Sequence, residues 1–490
     1  MKTKPRSNQD GSALICALCT ILIISLIGAN VLLNCTTRYN VSSKQVKGWK
    51  EALYAAESGG DIAFSEVRKV VSGTAFLSGG WTTTSGPSYS NGPYSFGQNN
   101  SLSAKVTVDQ LTAMLNGQSQ YYYRIRSQGT AKLFGLPRVG MDDRMDPTTR
   151  GDSLLRKIDF KYDHFKAAYG DGDGNGKAIQ AVQYPQITRR IETIAVPQFL
   201  TFTGALTATG SFAGPGPAGL IDSYDSKNGA YTFVANNPSS PYYGDSRNAN
   251  VSAGTSSFQE AGPIYGNVTT NGGTITHISN GTISGTIDNN VAFTISPLLK
   301  PAYPLGYMIG LSPTITPPSS AISDLTPAFY VYSSLTSGIT INAVGTAETY
   351  VTIVANGDVG GNITIANHVN AQIYFTGNLS LKDSNVVNHN VDNGVATNPS
   401  RAGHLQFYGI SPTDNSTQTV SITPPGDLYA TIYAPNADVT LTGNPNIYGA
   451  IVCHNFSGNG NTGFHYDKEI AQLLGPVIDY KIASYIEDIR

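Results

Sequence analysis

Residues 13–33, from Ala13 to Leu33, form an unbroken run of twenty-one uncharged and mostly apolar residues. In helical form, at ~1.5 Å per residue, such a run matches the ~30 Å hydrocarbon core of a bilayer. Beyond it, apolar or small residues recur at steps of four and three: Trp49, Leu53, Ala56, Gly60, Ala63, Val67 and Val70. That spacing draws one stripe along a helix. Lys47, Lys50, Glu51, Asp61 and Arg68 fall on the opposite side. The pattern predicts a single helix over residues 12–72, half in lipid and half packed on a globular head, on the order of 90 Å long. Ala56, Gly60 and Ala63 keep the middle of the stripe small, which suits close approach of a sheet or a second helix. Gly59-Gly60 is the place where such a rod would bend.

The pattern then changes period. Leu102–Val108, Tyr121–Ser127 and Arg189–Val196 alternate apolar and polar residues, as half-buried strands do. A long helix followed by such strands predicts an α+β head over residues 73–200. From residue 201 short alternating apolar runs recur: Gly266–Thr276, Ile283–Ile287, Val351–Ile353, Ile363–Ile365, Ile373–Phe375 and Leu379–Leu381, punctuated by Gly and Asn. Strands this short bury a continuous core only when they stack. A right-handed parallel β-solenoid is therefore expected over residues 201–466, with a β-sandwich as the alternative. Asn suits the turns because it tolerates left-handed dihedrals. Ile470, Leu473, Leu474, Val477, Ile478, Ile482, Tyr485, Ile486 and Ile489 close the chain and read as a helical cap over residues 467–490.

Charge gives the orientation. Lys2, Lys4 and Arg6 precede the apolar run in a basic leader of residues 1–11, which places the N-terminus in the cytoplasm and the bulk outside. A cleaved secretory signal would have a shorter apolar core followed by small residues. Here Asn34-Cys35-Thr36 follows and the helical pattern continues. Charged residues make up only 13% of the chain, against 52 Gly and 28 Tyr, too few for a disordered chain and too Gly-rich for a helical one. The net charge of −2 gives no footprint for nucleic acid. It divides unevenly, +8 over residues 1–200 and −10 over residues 201–490, so two differently built regions are expected. Of the four cysteines, Cys16, Cys19 and Cys35 lie in or beside the apolar run, leaving Cys453 without a disulfide partner in the distal region. Cys16-x-x-Cys19 would sit in lipid and reads as small apolar filler.

Candidate chemistry is sparse. Asp171-Gly172-Asp173-Gly174-Asn175-Gly176 has the alternating oxygens of half a calcium loop, which makes Asp171, Asp173 and Asn175 the candidate Ca²⁺ ligands. The twelfth position is Val182 where such a loop needs an acid, so a solvated turn is the competing reading. His454, His465 and Asp467 are the best catalytic candidates in the distal region, and bonding to turn backbones is the plainer role for them. The sequence contains no Gly-x-Ser-x-Gly elbow, His-Glu-x-x-His pattern or phosphate loop. A non-enzymatic protein without a cofactor is expected.

Gly11-Ser12-Ala13-Leu14 opening an apolar helix, followed by Ala55-Ala56-Glu57-Ser58-Gly59, resembles the N-terminal domain of PilX-type pilus assembly proteins, minor-pilin relatives of type IV pilus and type II secretion systems. The resemblance covers roughly residues 8–70. It implies cleavage by a prepilin peptidase after Gly11, leaving Ser12 as the new N-terminus. Most prepilins carry Glu at the fifth mature position, where this chain has Cys16; PilX-type sequences often lack that Glu too. The stretch Leu428–Asn444, continuing through Ile447–Val452 to Gly463–Asp467, resembles a β-helical domain of unknown function found in pilus-associated proteins. Together these imply a mainly β protein with a long N-terminal transmembrane helix, set in the inner membrane with its bulk periplasmic, or at the cell surface once assembled. The implied function is that of a minor or tip subunit with a structural or adhesive role. Its partners would be the membrane, other pilin or pseudopilin subunits, and a surface glycan or a host or neighbouring cell. The alternative is a membrane-anchored β-helix that binds or cleaves carbohydrate.

Overall fold

A computed structural model describes residues 9–488, apart from 72–76, 78, 98–99, 116–117, 134–184, 235–236, 278–281, 322, 383–384, 393–399, 413–415 and 424. The chain is mainly β with one long N-terminal helix, α1 (Gln9–Arg68). Sixty residues make α1 about 90 Å long. Its first half projects alone, with every side chain from Leu14 to Asn40 exposed.

The second half of α1 lies on an antiparallel sheet. In order the strands are β1 (Thr82–Ser85), β2 (Ser88–Phe96), β3 (Leu102–Leu115), β4 (Gln118–Lys132), β5 (Gln186–Phe199) and the C-terminal strand Val477–Asp488. The residues that seat the helix are nearly all small: Gly48, Ala52, Ala55, Ala56, Gly59, Gly60, Ala63 and Val67 are buried. Against them stand Ala104, Val106, Ile125, Ser127, Gly129 and Ile191, which alternate along their strands with exposed or half-exposed neighbours. At Gly129 the approach is closest. A Cβ there would lie 2.0 Å from the Ala52 carbonyl oxygen and 2.3 Å from the Ala56 nitrogen. Below this contact Val106, Val108, Tyr123, Ile125 and Ala195 form a core with Ala63, Val67 and Tyr480.

The stripe read from sequence sits one position off at its start. Trp49 is 53% exposed and Gly48 is buried in its place. The Trp49 ring lies under the Arg189 guanidinium at 4.6 Å, a polar covering that hydrophobicity alone does not reveal.

The expected C-terminal helical cap is not there. Lys468–Gln472 is one short 3-10 turn, and Val477–Asp488 is a strand that pairs antiparallel with β5, Val477 opposite Phe199 and Asp488 opposite Arg190. Ile478, Tyr480 and Ile482 fit a period of two as well as a helical stripe. The open edge of β5 decides between them by satisfying the backbone of this segment. Arg68 of α1 holds Asp479 bidentately at 2.7 and 2.8 Å, and Tyr123 packs edge-on against Tyr480 at 5.3 Å. The described head therefore consists of α1 from Gly48, strands β1–β5 and Val477–Asp488, and residues 200–476 are an insertion between its last two strands.

The insertion is built from short strands that stack in parallel and close no barrel. One register column runs Met308, Tyr330, Ile353, Ile373, Phe407, Ile432, Ile451, Leu206, Val251, Val268, Ile287. A second runs Val359, Leu379, Val420, Val439, Phe456, Phe212, Phe258, Ile275. In the second column Phe456, Phe212 and Phe258 stack at 5.3 and 4.5 Å. Among the described residues every ladder between named strands of this region is parallel, the one antiparallel contact being the isolated bridge Asn271–Asn290, and this does not fit the β-sandwich held as the alternative. Asn side chains tie successive layers at the turns: Asn250 Oδ1 accepts from Asn267 N at 3.1 Å, Asn267 Oδ1 from Thr286 N at 2.8 Å and Asn378 Oδ1 from Thr419 N at 2.8 Å.

Both columns show that the stack is permuted. The layer at residues 206–208 lies on the layer at 451–453, so the chain enters and leaves in mid-stack. From Leu206 it winds outward to Ile287, crosses to Met308 at the other end, and winds back to Ile451. The crossing segment lies along the stack: Ser411 N donates to Leu298 O at 2.9 Å, and Lys300 Nζ and Tyr303 OH reach Asn356 Oδ1 at 2.6 and 3.0 Å. This topology explains why Phe199 and Val477 emerge side by side to pair in the head.

If the head depends on backbone contact at Gly129, Gly129→Val lowers its stability by about 3 kcal/mol or more. Gly244→Ala, with open space around its Cβ, changes stability by less than about 0.5 kcal/mol. Thermal unfolding of the two variants in detergent checks the contrast.

Candidate functional site

Two regions are candidates for function, the bare part of α1 and a polar seam inside the stack. Between Leu14 and Leu33 the large apolar side chains of α1 are 54–69% exposed. The most apolar window of this helix has a mean hydropathy of 2.5 and none of it is buried, which fits single-pass membrane anchoring. Gly11 and Ser12, the residues of the expected processing site, lie in the first turns of the same helix. Asp171, Asp173 and Asn175, the expected Ca²⁺ ligands, fall outside the described residues.

The three distal candidates do not form one site. His454 is exposed and meets Thr209 Oγ1 at 3.0 Å through Nδ1. Asp467 is buried and accepts from the backbone nitrogens of Ser226 and Glu469, each at 3.1 Å, as expected of a turn cap. His465 does something that sequence spacing does not show. Its Nδ1 lies 2.6 Å from Asp222 Oδ1, and Tyr231 OH donates to Asp222 Oδ2 at 2.7 Å. Asp222 is 243 positions away in sequence and 0% exposed. The only sequence signal for it was an acid inside the apolar run Leu220–Tyr224.

A column of rings continues from this pair. Tyr231 and Tyr448 lie 4.0 and 4.7 Å from the His465 ring, Tyr429 stacks on Tyr448 at 4.3 Å, and the Arg401 guanidinium covers Tyr429 at 3.7 Å. Arg401 is itself fixed by Asn388 O at 2.9 and 2.6 Å, and its backbone nitrogen by Asp392 Oδ1 at 2.7 Å. Burial raises the Asp222 carboxyl above its usual range, against the His465 hydrogen bond. Burial also lifts Asp467, to about 6, although Ser400 and Ser226 bond to it.

A buried His–Asp–Tyr set has the elements of acid–base chemistry, but His465 is only 3% exposed and rings cover it. The position of the set in the fold gives its role. His465 and Asp467 belong to the last layer before the exit, and Asp222 and Ser226 to the segment after the entry, where Phe464 pairs with Ile221 and His465 with Asp222. The cluster thus joins the two sections of the permuted stack, which are not continuous in the chain at that point.

The model of a family described as a domain of unknown function (DUF7305) matches residues 323–473. This covers the second section of the stack to the exit turn, except its first strands Met308–Ile309 and Thr314–Ile315. No curated protein matches the chain. Among solved structures, the competence-associated pilin ComZ from Thermus thermophilus matches at 11% identity, covering 90% of this chain and 97% of that one, with a TM-score of 0.22.

Asp467 gives a pH signature with a definite sign. Its carboxyl titrates near 6 when folded and near 3.8 when unfolded, so between those values the folded state holds the extra proton. Stability then falls as pH rises from about 4 to about 6 and stays lower above it. Asp467→Asn removes that decline and is more stable than wild type at pH 7.5 by about 2 kcal/mol, as pH-dependent urea denaturation would show.

Proposed function

We propose that this chain is a membrane-anchored, pilin-like subunit of a type IV pilus or type II secretion-like system, a minor or tip component with a structural or adhesive role and no enzymatic activity. The observation that carries the reading is the single helix α1. Its first half is apolar on every side and bare, and its second half seats small residues on an antiparallel sheet. A segment of that kind has two uses in sequence: residence in a bilayer, and burial among neighbouring helices when the subunit leaves it. Gly11-Ser12 at the polar–apolar boundary supports processing there, with Lys2, Lys4 and Arg6 kept in the cytoplasm and the bulk in the periplasm or, after assembly, at the cell surface.

The distal insertion fits a terminal position better than a shaft position. Its parallel stacked strands support reading it as a β-solenoid, and residues 200–476 on every subunit would crowd a helical array. Glu at the fifth mature position, the usual charged partner of a neighbour's terminal amine, is replaced by Cys16. Without a charge in the hydrocarbon the helix is a more durable bilayer resident.

N-terminal sequencing of the protein isolated from its own membranes tests this reading. A start at Ser12 is expected, together with co-purification of other pilin-like subunits that is lost when residues 12–47 are replaced by an unrelated membrane helix. An intact Met1 and no such subunits would leave a plain membrane anchor and overturn it.

A further inference from the structure

Where β4 meets the stack, a cleft of about 180 Å³ opens between Gln120 of the head, Asp324 and Tyr350 of the stack, and the exit segment Leu474–Val477. Its floor is a regular grid. Parallel pairing sets Thr352, Gln372 and Gln406 in one row across three adjacent strands, with Tyr350 and Asn370 in a second row two residues earlier. Strand geometry spaces such a grid at ~4.8 Å between strands and ~6.6 Å along them. The inward neighbours Val351, Ile353, Ala371 and Ile373 fill the core, so the polar row belongs to the outer surface. Yet Thr352, Asn370 and Gln406 are only 4–7% exposed, because the cleft recesses them.

Several grid groups are already oriented. Asn370 Nδ2 donates to Glu348 Oε2 at 2.6 Å, Gln406 Nε2 to Gly403 O at 2.6 Å, and Tyr374 OH to Gln372 Oε1 at 3.3 Å. Gln406 Oε1 also accepts from Tyr408 OH and, at 3.5 Å, from Gln372 Nε2, so what these fixed amides present to the cleft is their remaining N–H groups and lone pairs. One group there lacks a partner: Asp324 Oδ2 is buried and makes no hydrogen bond. The rest of the Asp324 carboxyl is already held by the backbone of Ser119 and Leu325 and by Ser323, so Oδ2 is the part of it open to a further donor. No Lys, Arg or His lines the cleft, so nothing in it favours an anion. Pro327, Pro476 and the Tyr350 ring supply flat apolar faces beside the amides.

We propose that this cleft binds one ring of a neutral saccharide. A sugar ring matches the lining group by group: hydroxyls donate to Asp324 and exchange hydrogen bonds with the Gln and Thr rows, and the C–H face rests on Tyr350 and proline. The volume is several times that of a water and smaller than a drug-sized pocket, which suits one residue of a longer chain held at the cleft. The proposal deepens the adhesive part of the proposed function and rests on that reading only for its biological purpose. Filament assembly takes no part in the binding.

The test uses the full-length protein in lipid nanodiscs, titrated by saturation-transfer NMR and calorimetry with cellobiose, maltose, lactose and N,N′-diacetylchitobiose. At least one is expected to bind with a Kd on the order of 1 mM, and Gln372→Ala and Asp324→Asn each to weaken it about tenfold or more. Gln120→Ala, on the head side and remote from the core of the stack, is expected to weaken it about threefold and guards against a folding defect in the other two; thermal midpoints are measured for all three. Absence of binding by all four sugars at about 20 mM overturns the proposal, as does binding that the well-folded variants leave unchanged. Neither result alters the N-terminal processing outcome, so the two readings fail separately.

Discussion

A Cβ on Gly129 would fall 2.0 Å from the carbonyl oxygen of Ala52, so the long helix and the head sheet meet backbone against backbone at that point. The rest of the molecule hangs from this contact. The helix fixes β4, β4 carries β5, and β5 carries the C-terminal strand. Between those last two strands the chain leaves for 277 residues and returns, from Leu200 to Pro476. The apolar half of α1 is thereby coupled to the entire distal stack through one close-packed seam. Polar ties such as Arg68–Asp479 and Tyr485–Glu57 at 3.1 Å lie at the exposed margin of that seam, where an ion pair adds less than about 1 kcal/mol. The steric fit of Gly and Ala is what specifies the seat.

The permuted stack follows from the same arrangement. A stack entered at one end and left at the other would separate Phe199 from Val477 by its full length. Entering and leaving in mid-stack brings them together, at the cost of an internal joint that no peptide bond spans. The joint is closed by the His465–Asp222 pair and by Asp467 capping the Ser226 backbone, and the Tyr448–Tyr429–Arg401 column continues from it into the second section. The DUF7305 match ends at residue 473, close to the exit, so that match covers one side of the joint and leaves the Asp222 side outside it.

Much of the fold was legible in the sequence where its signal was local. The uncharged run, the small-residue stripe and the alternation at Leu102–Val108, Tyr121–Ser127 and Arg189–Val196 all correspond to described elements. The parallel stacking was legible as a class, because strands of three residues such as Ile363–Ile365 bury nothing alone. What failed was non-local. Val477–Asp488 carried a helical and a strand pattern together, and only the edge of β5, nearly 280 residues earlier, chose between them. His465 stood out in sequence but Asp222 did not, because their pairing depends on the permutation. The cleft over Thr352, Gln372 and Gln406 was equally hidden, because it is made by the β3–β4 hairpin and the exit segment laid across strands distant from both in sequence.

Hydrogen–deuterium exchange of the full-length protein in nanodiscs tests the central seam most directly. If backbone contact through small residues holds the head, amides of residues 52–63 exchange as slowly as those of residues 123–129 in β4 and open with them as one unit, while residues 36–47 of the same helix exchange faster. Residues 52–63 exchanging at the rate of residues 36–47, with β4 still protected, would contradict the account.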